Sequence, residues 1–440
     1  MKQFIRIIFL GLVVRLGIAA DQAFTPDKFV CYWNSSSFTR SGPAKVNVMD
    51  LKPALSLCTH LIYNSAGINS RNYEVVSLKP KIETDSSRGL YRDIVDLKKC
   101  FPTLKVYLGI GGGVDPDSNY EKYLTVVEKS QTRNNFITSV IKFVTDFNFD
   151  GVDLAWQFPP VDSKKSENSL TSSLVNYAKS WIGRGAFKDE KVAEHRKGFS
   201  NLVWDLNSLL KQKNKALTLT VLPHVNVTAY YDPKILAQSL DAIHLMAFDK
   251  ATPDINPETA DYPAPIYSRD NFKTQSIHND VSYWTNQKTP NEKIVIGIPT
   301  HARTWKLGKS DSQRSSGVPP VAANGPGDEG VVSSIPGFLS YAEVCNRLND
   351  KSSSLIKIDD YLNNKNSYGS YAYRPYNPKS QEDGIWIGYE SYVSAENKAL
   401  FAKKNGLGGV AIWDLSNDDV HGTCDGNRFP ITSAAKFKLA

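Results

Sequence analysis

The sequence predicts an α/β fold in which eight parallel strands close into a (β/α)8 barrel, with a small α+β domain inserted before the last strand. Short apolar runs of strand length recur along the 440 residues, and most of them alternate with longer segments of helical periodicity. The composition, 41% hydrophobic and 22% charged, is sufficient for a large core. Eight such units favour a closed barrel, and an open doubly wound sheet is the alternative that this pattern leaves open.

The eight predicted strands are apolar runs bounded by turn residues or by helical segments. A helix is predicted from about Glu190 to Lys213, between strands four and five. In chain order the strands are FVCYW near residue 29, HLIYNSAG near 60, LKVYLGIGG from 104, FDGVDLAW from 149, LTLTVLP from 217, AIHLMAF from 242, IVIGIPT from 294 and GVAIWDL from 409.

Two longer segments interrupt this alternation, and each follows the end of a strand. Residues 160–189 are a polar segment after strand four. Residues 306–387 carry a Gly/Pro-rich loop, a helical piece around Tyr341 to Leu348 and the strand-like runs SYAYRP and GIWIGY, which predicts an inserted α+β domain. The barrel would then comprise residues 21–305 and 388–440. Because active sites of such barrels lie at the C-terminal ends of the strands, both segments are expected to border one cleft.

The first 20 residues have the features of a secretory signal peptide. Lys2 and Arg6 precede an apolar run over residues 7–14, and the small residues Ala19 and Ala20 predict a cleavage site. A membrane anchor is the alternative, but the run is too short to cross roughly 30 Å of hydrocarbon and no later window approaches ~20 apolar residues. We therefore expect a secreted, extracellular protein without a membrane span.

Charge and cysteine usage exclude several classes of site. The formal charge is +7, of which three positive charges lie in the first 20 residues, leaving 7 − 3 = +4, which is too small and too dispersed for nucleic acid. Five cysteines in an oxidising compartment predict two disulfides and one free thiol, but their spacing leaves the pairing open. None are close enough together for a zinc motif, so neither a metal nor a cofactor is expected. The sequons at Asn34 and Asn226 fit a secreted glycoprotein.

Strand four carries the candidate chemistry, in the segment FDGVDLAWQFP. Side chains alternate between the two faces of a strand, so this strand presents two sets of residues. The set that includes Asp153 is expected to face the lumen, with Gln157 nearest the mouth, where barrel enzymes place an acid and a base. A purely structural, buried role for Asp153 is the alternative. The lumen-facing set is Gly151, Asp153, Ala155 and Gln157, and the opposite set is Val152, Leu154 and Trp156.

This segment resembles the DGxDxDWEYP signature of family 18 glycoside hydrolases. It matches at Asp150, Gly151, Asp153, Trp156 and Pro159. Four further segments are similar to motifs of that family in the same order, so the resemblance covers nearly the whole chain and implies its barrel fold. They are LGIGGG from Leu108, MAFD from Met246, IPTHARTW from Ile298 and GGVAIWDLSNDD from Gly408.

The resemblance also implies that the hydrolytic machinery is missing. In the family a glutamic acid protonates the glycosidic oxygen, and the acetamido group of the substrate acts as the nucleophile. Gln157 stands at the position of that acid, and its amide has no acidic proton to transfer to the substrate. Ala155 and Phe248 stand at the positions that orient and bind the acetamido group in the family. Gly109 stands where the family has a supporting serine. The chain is therefore not expected to be an enzyme.

Ala155 lies two residues before Gln157, and a polar segment follows strand four. This combination is similar to that of the insect imaginal disc growth factors, a branch of the chitinase-like proteins. The segments LTVLPHVNVT and NPETADYPAPIY are shared with that branch. This resemblance implies a secreted, non-hydrolytic protein that promotes growth and motility of cells. Two alternatives remain open. One is an active glycosidase with displaced catalytic residues. The other is a scaffold that binds only proteins, whose cell-surface or matrix partner the sequence does not identify.

The resemblance further implies a residual cleft for a chitooligosaccharide or another glycan, although ordinary core packing is the alternative for each of its residues. Position 36, where active relatives carry a sugar-stacking tryptophan, is a serine. The implied disulfides are Cys31 to Cys58 and Cys345 to Cys424, leaving Cys100 as a free thiol that we expect to be buried. The implied carbohydrate-binding residues are Trp413, Asp153, Met246, Asp249 and Trp156.

Overall fold

The computed structural model describes most of the chain after its first 25 residues. The predicted signal peptide, residues 1–20, lies outside the described residues, as does the polar segment after strand four except for Asp189. The described residues are 26–85, 89–112, 115, 120–159, 189–269, 275–308, 317–359 and 368–440.

Eight parallel strands form a closed barrel. Each strand pairs with the next in the chain, and the eighth pairs with the first, with Gly409 opposite Lys28. This closure confirms the predicted barrel and excludes the open sheet. The strands are β1 Lys28–Asn34, β2 His60–Ile68, β3 Lys105–Gly111, β4 Gly151–Ala155, β5 Ala216–Val221, β6 Ala242–Leu245, β7 Ile294–Pro299 and β8 Gly409–Trp413.

Helices cover the outside of the barrel, and the longer ones bury an apolar stripe. The helix predicted between strands four and five extends over Val192–Gln212, and its buried residues recur at helical spacing. Within the described ranges, no helix is both long and apolar enough to cross a membrane. The helices are α1 Lys52–Leu55, α2 Pro80–Glu83, α3 Leu90–Asp96, α4 Tyr120–Glu128, α5 Ser130–Asp146, α6 Val192–Gln212, α7 Val227–Tyr230, α8 Pro233–Ser239, α9 Ile277–Asn286, α10 Tyr341–Asn349, α11 Tyr392–Lys404 and α12 Pro430–Leu439.

An inserted five-stranded antiparallel sheet lies between β7 and β8 in the chain. Its first strand begins at His301, directly after β7, inside the range assigned to the barrel from the sequence. Helix α10 follows the edge strand and begins with a capping box in which Ser340 and Glu343 satisfy each other's backbone N–H groups. In spatial order the strands are Phe338–Ser340, His301–Leu307, Gly384–Tyr389, Ser370–Arg374 and Ile356–Ile358.

Two disulfides tie loops to these elements, and both confirm the predicted pairing. Cys31 of β1 is joined to Cys58, with 6.0 Å between the Cα atoms, and Cys345 of α10 is joined to Cys424 after β8 across 5.8 Å. The prediction for Cys100 was wrong in one respect, because the free thiol is exposed and not buried. Cys100 ends the 3-10 turn Leu97–Lys99, in which Leu97 is the buried residue, so the thiol faces solvent.

Candidate functional site

A buried polar cluster lies inside the barrel around Asp153 of β4. The hydroxyls of Thr218 and Thr220, both on β5, donate to the two oxygens of Asp153 at 2.6 Å each. Nδ1 of His244, on β6, lies 3.4 Å from Oδ1 of Asp153. The Tyr32 hydroxyl, from β1, lies 3.4 Å from Oδ2 and donates to it. Alternation along the strands places all these side chains on the inner face of the barrel.

These contacts fit a structural role for the carboxylate of Asp153, which has no exposed surface. The Tyr32 hydroxyl also lies 2.6 Å from both Thr220 Oγ1 and His244 Nδ1. Burial and the nearby Asp153 charge raise the pKa of Tyr32 well above its ordinary value, so the hydroxyl keeps its proton. Both oxygens of Asp153 are thereby engaged by fixed neutral donors, below the mouth of the barrel.

Gln157, which the resemblance aligns with the catalytic acid of the family, lies two residues after the end of β4. Its side chain is buried, and within the described ranges neither its amide nitrogen nor its amide oxygen has a hydrogen-bond partner. A buried polar group left unpaired costs about 1–3 kcal/mol, so it is a strong site for hydrogen bonding to a bound molecule. The amide can orient such a molecule but cannot protonate it.

Backbone atoms pack closely around Ala155 and Gly109. The carbonyl of Ala155 accepts from Gly112 N at 3.0 Å, and Gly111 adopts a φ of 96°, so the ends of β3 and β4 are closely packed. A Cβ atom at Gly109 would lie 3.0 Å from the carbonyl oxygen of Tyr63. At Gly109 and Ala155 the wall of the lumen therefore consists of backbone atoms, and the side chain adds only a hydrogen atom or a methyl group.

Phe248 and Met246 pack on β7 just below the mouth. A Cβ atom at Gly297 would lie 3.0 Å from Phe248 Cε1 and 2.8 Å from Met246 Sδ, so this glycine is required for the contact. The Phe248 ring lies 5.6 Å from the His301 ring and 6.2 Å from the Trp413 indole. The phenyl ring of Phe248 has no hydroxyl to offer a bound molecule.

Trp413 ends β8 and forms part of the floor of the mouth. Its indole lies 4.7 Å from the Tyr32 ring, at an interplanar angle of 48°, and the residue is 6% exposed. A ligand could therefore contact only a small part of its surface without movement of the neighbouring residues.

Asp249 is held by two basic side chains from the first strand of the inserted sheet. Nε and Nη2 of Arg303 donate to its two oxygens at 2.8 and 2.7 Å, and His301 Nε2 lies 3.1 Å from Oδ1. Burial raises the pKa of Asp249, but the charges of Arg303 and His301 outweigh this effect and hold the pKa well below its usual range. Asp249 is therefore a carboxylate that fixes the inserted sheet to the rim of the barrel.

Trp156 does not belong to the mouth of the barrel. Its indole is buried and packs against Tyr123 of α4, Phe136 of α5 and Phe199 of α6. It thus fills the layer between the barrel and its helices, which corrects its inclusion among the expected sugar contacts. Asp150, at the start of the same motif, accepts from Val106 N at 2.9 Å and ties β4 to β3.

Sequence reasoning missed the partners that complete this site. Thr218 and Thr220 alternate along β5, which is a weak signal for a polar lumen, and Tyr32 and His244 occupy buried strands. His301 and Arg303 also alternate, directly after β7.

Comparison with known proteins identifies the family. The family described as Glycosyl hydrolases family 18 matches residues 28–418. The chain is 39% identical to "Chitinase-like protein Idgf4" of Drosophila melanogaster, covering 98% of this chain and 99% of that protein. It is 36% identical to "Imaginal disk growth factor 6" of the same species, with 93% of each chain covered.

Solved structures agree with this assignment. The group IV chitinase of Ostrinia furnacalis, solved with allosamidin, is 25% identical, with a TM-score of 0.76 over 94% of this chain and 99% of that chain. Human YKL-39, described as a pseudo-chitinase with retained chitooligosaccharide binding properties, is 26% identical, with a TM-score of 0.73 over 94% and 99%. The chain therefore belongs to glycosyl hydrolases family 18, and its relatives include the insect chitinase-like proteins of the Idgf type.

Proposed function

We propose that the chain is a secreted, catalytically inactive chitinase-like protein that acts outside the cell as a growth factor promoting cell proliferation and motility. The observation that carries the proposal is Gln157, an amide at the position of the family's catalytic acid. The names of the relatives support the growth-factor role, and the signal-like first 20 residues support secretion.

Catalytic inactivity follows from the chemistry of the mouth. Loss of a positioned general acid typically reduces a rate by ~10²–10⁴. Neither nearby carboxylate is a ready substitute, because Asp153 is engaged by two threonines and Asp249 is paired with Arg303. Ala155 and Phe248 in addition provide no polar group to orient an acetamido nucleophile.

We also propose that the mouth binds short chitooligosaccharides weakly. Trp413 would offer an apolar surface to a sugar ring, Met246 would line the wall, and the unpaired amide of Gln157 would donate to or accept from the ligand. Asp249 would act indirectly, through the position of Arg303. Retained chitooligosaccharide binding in YKL-39 supports this part of the proposal.

Calorimetry with chitotetraose tests the cleft, with hydrolysis of the same ligand followed in parallel. Trp413→Ala should lower the affinity at least about fivefold, the equivalent of ~1 kcal/mol, because it removes the apolar platform. Gln157→Ala should have a smaller effect. Equal affinities for wild type and the Trp413 variant would contradict the cleft, hydrolysis by wild type would contradict inactivity, and absence of binding at millimolar ligand would favour a scaffold that binds only proteins.

A further inference from the structure

A cavity lies beside the barrel mouth and shares Met246 with the site described above. It has a volume of about 480 Å³ and lies between the loop after β5 and helix α9. This volume falls in the range of ~300–1,000 Å³ that is typical of small-molecule sites.

The wall of this cavity combines apolar and polar groups. Leu222, Val225 and the buried Trp284 supply apolar surface. Lys250 and Asp280, which also line the cavity, form an ion pair at 2.6 Å. The indole Nε1 of Trp284 has no partner among the described residues but is buried, so neighbouring side chains must move before it can donate to a ligand. Apolar faces next to directed polar groups are the surface that a sugar ring requires.

Asn226 lines the same cavity, and it is the acceptor of the sequon Asn226-Val227-Thr228. It begins α7 as the N-cap: its Oδ1 accepts from Thr228 N at 3.1 Å, Thr228 Oγ1 at 2.8 Å and Ala229 N at 3.2 Å. These bonds fix the plane of the carboxamide and leave Nδ2, the atom to which a glycan is attached, without a hydrogen bond to any of the described residues. The first sugar of such a glycan must begin at the cavity wall.

The other sequon provides a matched comparison within the chain. Oδ1 of Asn34 accepts from Ser36 N at 3.0 Å and from Ser36 Oγ at 2.6 Å, so its local geometry resembles that of Asn226. Asn34, however, is not among the residues that line this cavity. The two sequons therefore differ in their surroundings rather than in their own conformation.

We propose that the first N-acetylglucosamine ring of a glycan on Asn226 packs into this cavity, so that the protein carries a sugar of its own beside the barrel mouth. The inference rests on the proposed secretion, because only a chain that enters the secretory pathway is glycosylated at a sequon. The ring covers Leu222 and Val225, and its polar groups face the Lys250–Asp280 pair and the indole of Trp284.

The test compares the release of the two glycans by a peptide N-glycosidase. Protein secreted from insect cells is digested in its native state, and peptide mapping follows each site with time. Release at Asn226 should be about tenfold slower than at Asn34, the ratio that corresponds to ~1.4 kcal/mol of packing. The difference should vanish after denaturation. Trp284→Phe, which removes the Nε1 donor, should speed release at Asn226 and leave Asn34 unchanged.

Two outcomes would overturn the inference and leave the proposed function standing: equal native release rates at the two sites, or secreted protein in which Asn226 is unmodified. Retention of the chain inside the cells with both sequons unmodified would overturn the proposed secretion as well. The wild-type rates alone decide the question if the Trp284 variant fails to fold.

Discussion

The residues around the barrel mouth differ in how much would have to change to introduce a catalytic group. Gln157 differs from an acid by one group, whereas Phe248 is packed against Gly297 and Gly109 faces the backbone of Tyr63. Asp249 keeps its charge through Arg303 and His301. The mouth therefore has a charged rim at Asp249 and closely packed surroundings at Phe248 and Gly109.

Gln157→Glu alone should not restore chitin hydrolysis. Orientation of the acetamido nucleophile is worth several kcal/mol in such reactions, and Ala155 and Phe248 provide none of it. The single variant should remain at least ~10²-fold slower than the triple variant Gln157→Glu, Ala155→Asp, Phe248→Tyr, because each ~1.4 kcal/mol accounts for a factor of ten. Initial rates on chitotetraose measure this difference. A single variant as fast as the triple one would show that positions 155 and 248 are unimportant.

Arg303→Met should destabilise the protein by about 3–5 kcal/mol, because it leaves the buried charge of Asp249 without its main partner. The matched control is Arg374→Met, since the pair of Arg374 with Glu382 is partly exposed, with 25% and 54% of the two side chains accessible, and should contribute no more than ~1 kcal/mol. The depressed pKa of Asp249 implies that its contribution is complete above the unfolded pKa of ~3.9 and lost as the pH falls below it. Urea unfolding at pH 7 compares the variants, and equal losses would contradict the assignment.

At the level of elements, the inserted sheet is attached to the barrel at two places. Its first strand continues from β7 and carries the residues that hold Asp249. Helix α10 is attached by the Cys345–Cys424 disulfide to the loop after β8, across a sequence separation of 79 residues. The inserted domain is therefore attached to the barrel both by its first strand and by helix α10.

Replacing both Cys345 and Cys424 by serine should lower the free energy of unfolding by ~2–4 kcal/mol, because the long loop between them becomes free in the unfolded chain. Cys100→Ser is the control, since its thiol is exposed and its replacement should change stability by less than ~0.5 kcal/mol. Chemical denaturation under non-reducing conditions compares the three proteins. A larger loss for the Cys100 variant would contradict the structure.

For the whole molecule, buried titratable groups determine how stability depends on pH. Burial lowers the pKa of His60 and of His224 to about 4, and the neighbouring His244 contributes to the shift at His60. Their contribution is complete above pH 6.5, the unfolded value, and is lost as the pH falls towards 4. Burial raises the pKa of Asp418 to about 6, so its contribution is complete below 3.8 and is lost as the pH rises to 6.

The double variant His60→Gln, His224→Gln should therefore lose less stability between pH 7 and pH 5 than wild type does, by roughly 1–3 kcal/mol. Both histidines are partly exposed as whole residues, which reduces the effect, although the ring nitrogens of His224 are themselves buried. Unfolding free energies measured at several pH values provide the comparison. Parallel curves for the two proteins would show that these histidines do not titrate on unfolding in this range.

The sequence by itself determined the barrel, because strand patterns are local properties of the chain, whereas the disulfide pairing came only from the family resemblance. Only the tertiary structure decided which groups meet. The Tyr32 hydroxyl reaches His244 across 212 residues, and Asp249 reaches Arg303 across 54. It likewise decided that Cys100 is exposed and that Asn226 borders a cavity. Closing the barrel brings distant strands side by side, and no local pattern encodes the resulting contacts between their side chains.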